Sequence, residues 1–164
     1  MNRPDDQYVY HGSHESFDVA IPKRQVRKRV DDEGNVTVIF DDISFHATPY
    51  KWIALNYTCQ CQNVVHNDKE YWVNTGLDLK KHVEEITVYG VESLEKSLDI
   101  LYGQGGYLFT FDKNDFITKE GLGALEMISQ SEIKPISIER IDDPVSELRK
   151  LGITFKFVDE TKGN

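Results

Sequence analysis

Short stretches of alternating apolar and polar residues recur along the chain, and each predicts a β-strand. Gln7-Tyr8-Val9-Tyr10-His11 is rich in aromatic and β-branched residues and reads as a strand stopped by Gly12-Ser13. Residues 25–30 and 36–40 read as two strands around Asp31-Asp32-Glu33-Gly34-Asn35, whose acidic, glycine-containing sequence is turn chemistry. Ser44-Phe45-His46-Ala47 is a short extended piece, and residues 71–74, 85–89, 107–111 and 153–158 read as further strands. Residues 126–130 and 134–141 form two more strands or one bent strand. Helical spacing enters in between. Thr48 is a good N-cap and Pro49 is tolerated at the first helical position, so a helix is expected from there to about Thr58, with Trp52, Ile53, Ala54 and Tyr57 as its apolar residues. Residues 93–102 place Leu94, Leu98 and Leu101 on one helical face, and Gly103 to Gly106 end that helix. Residues 145–151 make a last short helix closed by Gly152, and residues 77–82 fit a loop or a short helix equally. Strands predominate with two or three helices interspersed, which predicts an α+β class.

The length of 164 residues fits one domain, 1–164, and the 39% hydrophobic and 29% charged composition is that of a globular chain. The net charge of -9 opposes nucleic-acid binding over the surface as a whole. It leaves room for one local basic site, because residues 23–29 hold five cations in seven positions. Cys59 and Cys61, one residue apart, are too close for a relaxed disulfide and too few for a metal cage, so two free thiols packed at a helix end are expected. His14, His66 and His82 have no ligand spacing, so no metal is expected. Free thiols, a polar start without an apolar stretch, and no apolar run approaching about 20 residues point to a cytoplasmic protein with no membrane partner.

Three short segments carry candidate chemistry. His11-Gly12-Ser13 ends a strand with an imidazole, a residue without a Cβ, and a hydroxyl, which together can hold a ribose and an amide. Phe45-His46-Ala47-Thr48 leads into the helix carrying Tyr57, whose ring can stack on a flat heterocycle. Glu126 opens a strand behind the glycine-containing loop 121–125, where a carboxylate can be fixed beside a reacting centre. Each also has a plain structural reading: a strand end, a core aromatic stripe, and one surface acid among 28.

Taken in this order, the segments resemble the ADP-ribosyltransferases of the diphtheria-toxin and poly(ADP-ribose) polymerase type. Tyr8-Val9-Tyr10-His11-Gly12-Ser13 is similar to their aromatic-His-Gly-Ser/Thr first strand. Phe45 to Pro49 followed by Ala54-Leu55-Asn56-Tyr57 is similar to their second block, and Glu126 with the β-rich segments after it to their third. Residues 107–116 resemble a strand common in small bacterial and phage relatives. The likeness spans roughly residues 7 to 140. In the strictest pattern a Tyr stands where this chain has Phe45, and an apolar aromatic is common where it has His46.

The resemblance implies a split β-sandwich that binds NAD as a substrate and requires no metal. It implies catalytic roles for His11, Tyr57 and Glu126, and NAD contacts from His11, Gly12, Ser13, Phe45, Ala47, Thr48 and Tyr57. His11 would bind the adenosine-side ribose and Gly12 the nicotinamide carboxamide through its backbone. Tyr57 would stack on nicotinamide. Glu126 would hold the nicotinamide ribose and stabilise the cation formed as nicotinamide leaves, with Glu120 and Glu132 as alternative acids. The function implied is mono-ADP-ribosyl transfer to a protein or nucleic-acid acceptor. A non-catalytic NAD, ADP-ribose or nucleotide-binding module of the same fold is the second reading. An RNA 2′-phosphotransferase-like enzyme, holding phosphate with Arg24, Arg27, Lys28 and Arg29, is a third, although an arm with its cations in water explains that cluster more simply. An interaction protein whose acidic surface meets a basic partner is a fourth.

Overall fold

The computed structural model describes residues 2–58, 63–78, 80–123 and 125–161. It is an α+β arrangement of three sheets and three helices among those residues. Strand β1 (Tyr8–Ser13) does not stop at Gly12-Ser13, as the sequence suggested. Gly12 and Ser13 stay in the ladder, opposite Leu108 and Tyr107. The glycine serves packing instead: a Cβ there would stand 2.0 Å from the Ala54 carbonyl oxygen of the overlying helix.

Strands β2 (Lys23–Val30) and β3 (Val36–Ala47) form the expected hairpin, and Asp31 accepts the backbone N–H groups of Glu33 and Asn35 in its turn. The two extended pieces foreseen at 36–40 and 44–47 are one strand of 12 residues. Asp41 and Asp42 interrupt the apolar pattern, but they are paired with Arg24 and with Lys119 and Gln130, so the strand runs on through them. At its end, Tyr10 and Thr48 exchange backbone hydrogen bonds of 2.7 and 2.9 Å. The Thr48 hydroxyl accepts the Tyr50 N–H at 3.1 Å, ahead of the helix. Helix α1 (Lys51–Asn56) starts later than expected, with Tyr50 at the N-cap and no side-chain cap. Its residues from Trp52 to Asn56 are all buried, so packing rather than capping stabilises it.

Strands β4 (Val64–His66) and β5 (Lys69–Asp78) join through Asn67 and Asp68, both at positive φ, a turn that suits the strand twist. Leu77 and Asp78, left open between loop and helix, pair with β6 (Val83–Gly90). Ser93 caps helix α2 (Leu94–Tyr102) by accepting the Lys96 N–H. Strand β7 (Gly106–Asp112) follows, then β8 (Met127–Ser129) and β9 (Ser137–Ile141). Asp143 caps α3 (Pro144–Lys150), and β10 (Thr154–Asp159) closes parallel to β6. Cys59 and Cys61 lie outside the described residues. No helix among the described residues is long and apolar enough to cross a membrane.

The sheets are ordered β1-β7-β9, β2-β3-β8 and β10-β6-β5-β4. The first is a wall between two cores. Leu108 faces a core built with α1, α2, α3, β5 and β6. Its neighbours Phe109 and Phe111 face the other way, into a phenylalanine cluster with Phe116, Phe17 and Phe45. Phe17 stacks on Phe109 at 3.9 Å between ring centroids.

Candidate functional site

One cavity of about 420 Å3 opens where β1, the end of β3, α1 and the segment before β8 meet. Of the residues singled out from the sequence, His11, Gly12, Ala47, Thr48, Tyr57 and Glu126 all border it. Ser13 and Phe45 border instead a neighbouring cavity of about 570 Å3, and the two cavities share His11, Arg27 and His46 as walls. Glu120 and Glu132 are exposed and border neither cavity, so Glu126 is the acid of this site.

The convergence has a structural cause. Antiparallel pairing sets His46 opposite Ile128 and Ala47 opposite Met127, which delivers Glu126 beside the His46 ring. The absent side chain of Gly12 lets α1 lie directly on β1 and brings Tyr57, its C-cap residue, to the cavity rim. Tyr57 is 40% exposed there. Thr75 and Leu77 of β5 close the far side.

His11 is held rigidly. Its Nδ1 lies 2.7 Å from the His46 carbonyl oxygen, which can only accept, so Nδ1 carries the proton. Burial among Phe17, Phe45 and Phe109 pushes its pKa below the usual histidine value, outweighing the help of that hydrogen bond. The neutral ring therefore leaves Nε2 as an acceptor.

Glu126 is ionised and fully engaged. Arg27 donates Nη1 to Oε1 and Nη2 to Oε2, both at 2.6 Å, and His46 Nδ1 donates to Oε2 at 3.1 Å. His46 Nε2 is in turn 3.0 Å from Ser44 Oγ. Burial raises the Glu126 pKa, but the bonds from His46 and Arg27 outweigh it and hold it at about 2. Tyr10, also on the cavity wall, donates its hydroxyl to Asp5 at 2.8 Å.

Arg27 and His46 also border this cavity; the sequence reading named Arg27 only as a possible phosphate contact and gave His46 no role. Arg27 was placed on an arm with its cations in water. That holds for Arg24, Lys28 and Arg29, which are exposed, but Arg27 turns inward. The register supplies the reason: Arg27 stands opposite Phe40, a core residue, with a bulge between Arg27 and Lys28. Alternation along Ser44-Phe45-His46-Ala47 was the available signal for His46, since it puts Ser44 and His46 on one face and Phe45 on the other.

A larger surface groove of about 870 Å3 lies between α2 and α3. Glu95, Asp99, Asp142 and Asp143 line it opposite Arg149 and Lys150, and neither a histidine nor Glu126 borders it. Volume alone does not make it the better site. Among the described residues no three His, Cys, Asp or Glu side chains converge as metal ligands would. Comparison with known proteins finds no matching family model, curated protein or solved structure.

Proposed function

We propose that this chain is an NAD-dependent mono-ADP-ribosyltransferase that displaces nicotinamide and passes ADP-ribose to a protein or nucleic-acid acceptor, on a split β-sandwich of the ADP-ribosyltransferase type. The observation that carries the reading is the meeting of His11, Gly12, Tyr57 and Glu126, scattered from position 11 to 126, around one cavity. Breaking the N-glycosidic bond builds positive charge on the ribose, and a carboxylate fixed in a half-buried site is placed to stabilise it. Glu126 is such a carboxylate. Tyr57 offers a ring face to nicotinamide, and neutral His11 accepts from the second ribose. The two adjacent cavities, which share His11, Arg27 and His46 as walls, suit a ligand built in two halves. No metal enters the reaction.

A proton NMR time course with NAD tests this. Release of free nicotinamide that Glu126→Gln or His11→Ala abolishes supports the transferase; no release and no line broadening of NAD overturns it. The Arg27–Glu126 pair favours a second reading, a nucleotide-binding module that does not turn over, because it neutralises the acid the chemistry needs. Broadening without release in the presence of acceptor candidates would select it. The RNA 2′-phosphotransferase reading is weaker, since Arg24 is engaged by Asp41 and only Arg27 of the four cations reaches the cavity.

A further inference from the structure

Arg27 borders both cavities, and the reaction as proposed makes no use of it. As the site stands, it works against that reaction. A guanidinium bound bidentately to Glu126 cancels the negative charge where a positive charge has to develop.

We propose that Arg27 is a specificity-determining residue: it latches Glu126, and a phosphate-bearing ligand opens the latch by taking Arg27 for itself. The site then selects a diphosphate-bearing nucleotide over a riboside that carries no phosphate. What the freed carboxylate does next rests on the transferase reading; the latch does not.

The geometry separates a fixed part from a movable one. His46 is backbone of β3, paired to Ile128, and its ring is held by Ser44 on one nitrogen and Glu126 on the other. It keeps the carboxylate in place when Arg27 leaves. Arg27 hangs on a long flexible side chain beside a bulge, and its side chain is 39% exposed. A phosphate offers the same fork of acceptor oxygens as a carboxylate, so the exchange replaces one bidentate charge-assisted contact by another. A dinucleotide with one half in each cavity would set its diphosphate beside the residues the cavities share, Arg27 among them. The second cavity adds Lys23 and the hydroxyl-bearing Ser13, Ser16 and Ser44, and Glu15 is the one acid among its described borders. Releasing Arg27 empties Oε1 of Glu126 for a ribose hydroxyl.

The test is made on the whole chain with inorganic pyrophosphate, which asks about the latch without asking about turnover. The Arg27 Nε–Hε signal, identified by its loss in Arg27→Gln, should move saturably with pyrophosphate, and Arg27→Gln should abolish binding. Glu126→Gln removes the competing charge while keeping the shape, so it should bind pyrophosphate about tenfold more tightly, the equivalent of one charge-assisted hydrogen bond no longer to be broken. Equal or weaker binding in Glu126→Gln overturns the latch. In the unaltered protein, the Glu126 carboxyl carbon signal should shift with the same midpoint as Arg27, which needs no variant to fold; a Glu126 signal that stays put also overturns it. Under the transferase reading, Arg27→Gln should narrow the preference for NAD over nicotinamide riboside by about 10- to 100-fold in nicotinamide release. Absence of release from both compounds would sink that reading, while the pyrophosphate titrations still decide the latch.

Discussion

Strand β2 carries two arginine–carboxylate pairs three residues apart, and they differ in almost everything but geometry. Arg24 meets Asp41 through Nε and Nη2 at 3.0 and 2.9 Å, with side chains 70% and 44% exposed. Arg27 meets Glu126 at 2.6 Å twice, with side chains 39% and 28% exposed. The first pair joins neighbouring strands in water. The second joins residues 99 positions apart at the mouth of a cavity, with a histidine on the same carboxylate. The difference teaches that bidentate geometry alone says little about consequence: screening reduces the first pair to a surface detail, while partial burial leaves the second far less screened.

The largest effect is expected at the inner pair. If the chain is the transferase proposed, Glu126→Gln should lower nicotinamide release by about 10²- to 10³-fold, the cost of losing one preorganised electrostatic contact, while Asp41→Asn leaves release unchanged. Equal losses in both would break the comparison. Next comes the support of the cavity. Gly12→Ala pushes a Cβ against backbone rather than against a yielding side chain, so it should cost about 3 kcal/mol in urea unfolding.

Removing Arg27 should come third. Arg27→Ala leaves Glu126 half-buried and without its strongest partner, at a cost of about 2 kcal/mol, less than for a fully buried charge. Arg24→Ala is the matched control and should leave the unfolding midpoint where it was at physiological salt. A comparable loss in Arg24→Ala would mean that burial does not distinguish the pairs.

Acid should act on the inner site in two stages. The pKa of His11 is lowered in the folded state, so the unfolded chain binds its proton first; stability is complete above about 6.5 and declines as pH falls below it. The Glu126 pKa is lowered from 4.5 to about 2, so its contribution is present above 4.5 and is lost as pH falls through that window, about 2 kcal/mol after solvent screening. Urea titrations at several pH values should show the lower stage vanish in Glu126→Gln. The smallest effect belongs to salt: added sodium chloride should leave the stability difference between Arg27→Ala and the unaltered chain nearly intact.

How much of this could be read in advance varied with the range of the interactions involved. Helix α2 was legible because its leucine spacing and its Ser93 cap lie within ten residues of each other. The β2–β3 hairpin was legible because Asp31 and Asn35 complete the turn locally. The site residues His11, Gly12, Tyr57 and Glu126 were nameable from short motifs, and they do share a cavity. The start of α1 was misplaced because Thr48, a good cap in isolation, extends the β1 ladder through Tyr10 and accepts the Tyr50 N–H before the helix begins. Strand β3 was cut in two because nothing near Asp41 and Asp42 announces Arg24, Lys119 and Gln130 as their partners.

Periodicity, capping and turn chemistry act over a few residues, so the sequence by itself determined the α+β class, most strands and two helices, and left the acid open among Glu126, Glu120 and Glu132. Only the tertiary structure decided that Gly12 serves helix packing, that Arg27 leaves the basic arm to face Glu126, and that His46 lies between that acid and Ser44. Those facts depend on register and on contacts between residues up to 99 positions apart, and a side chain's partner at that range is set by which strands pair rather than by its neighbours in the chain.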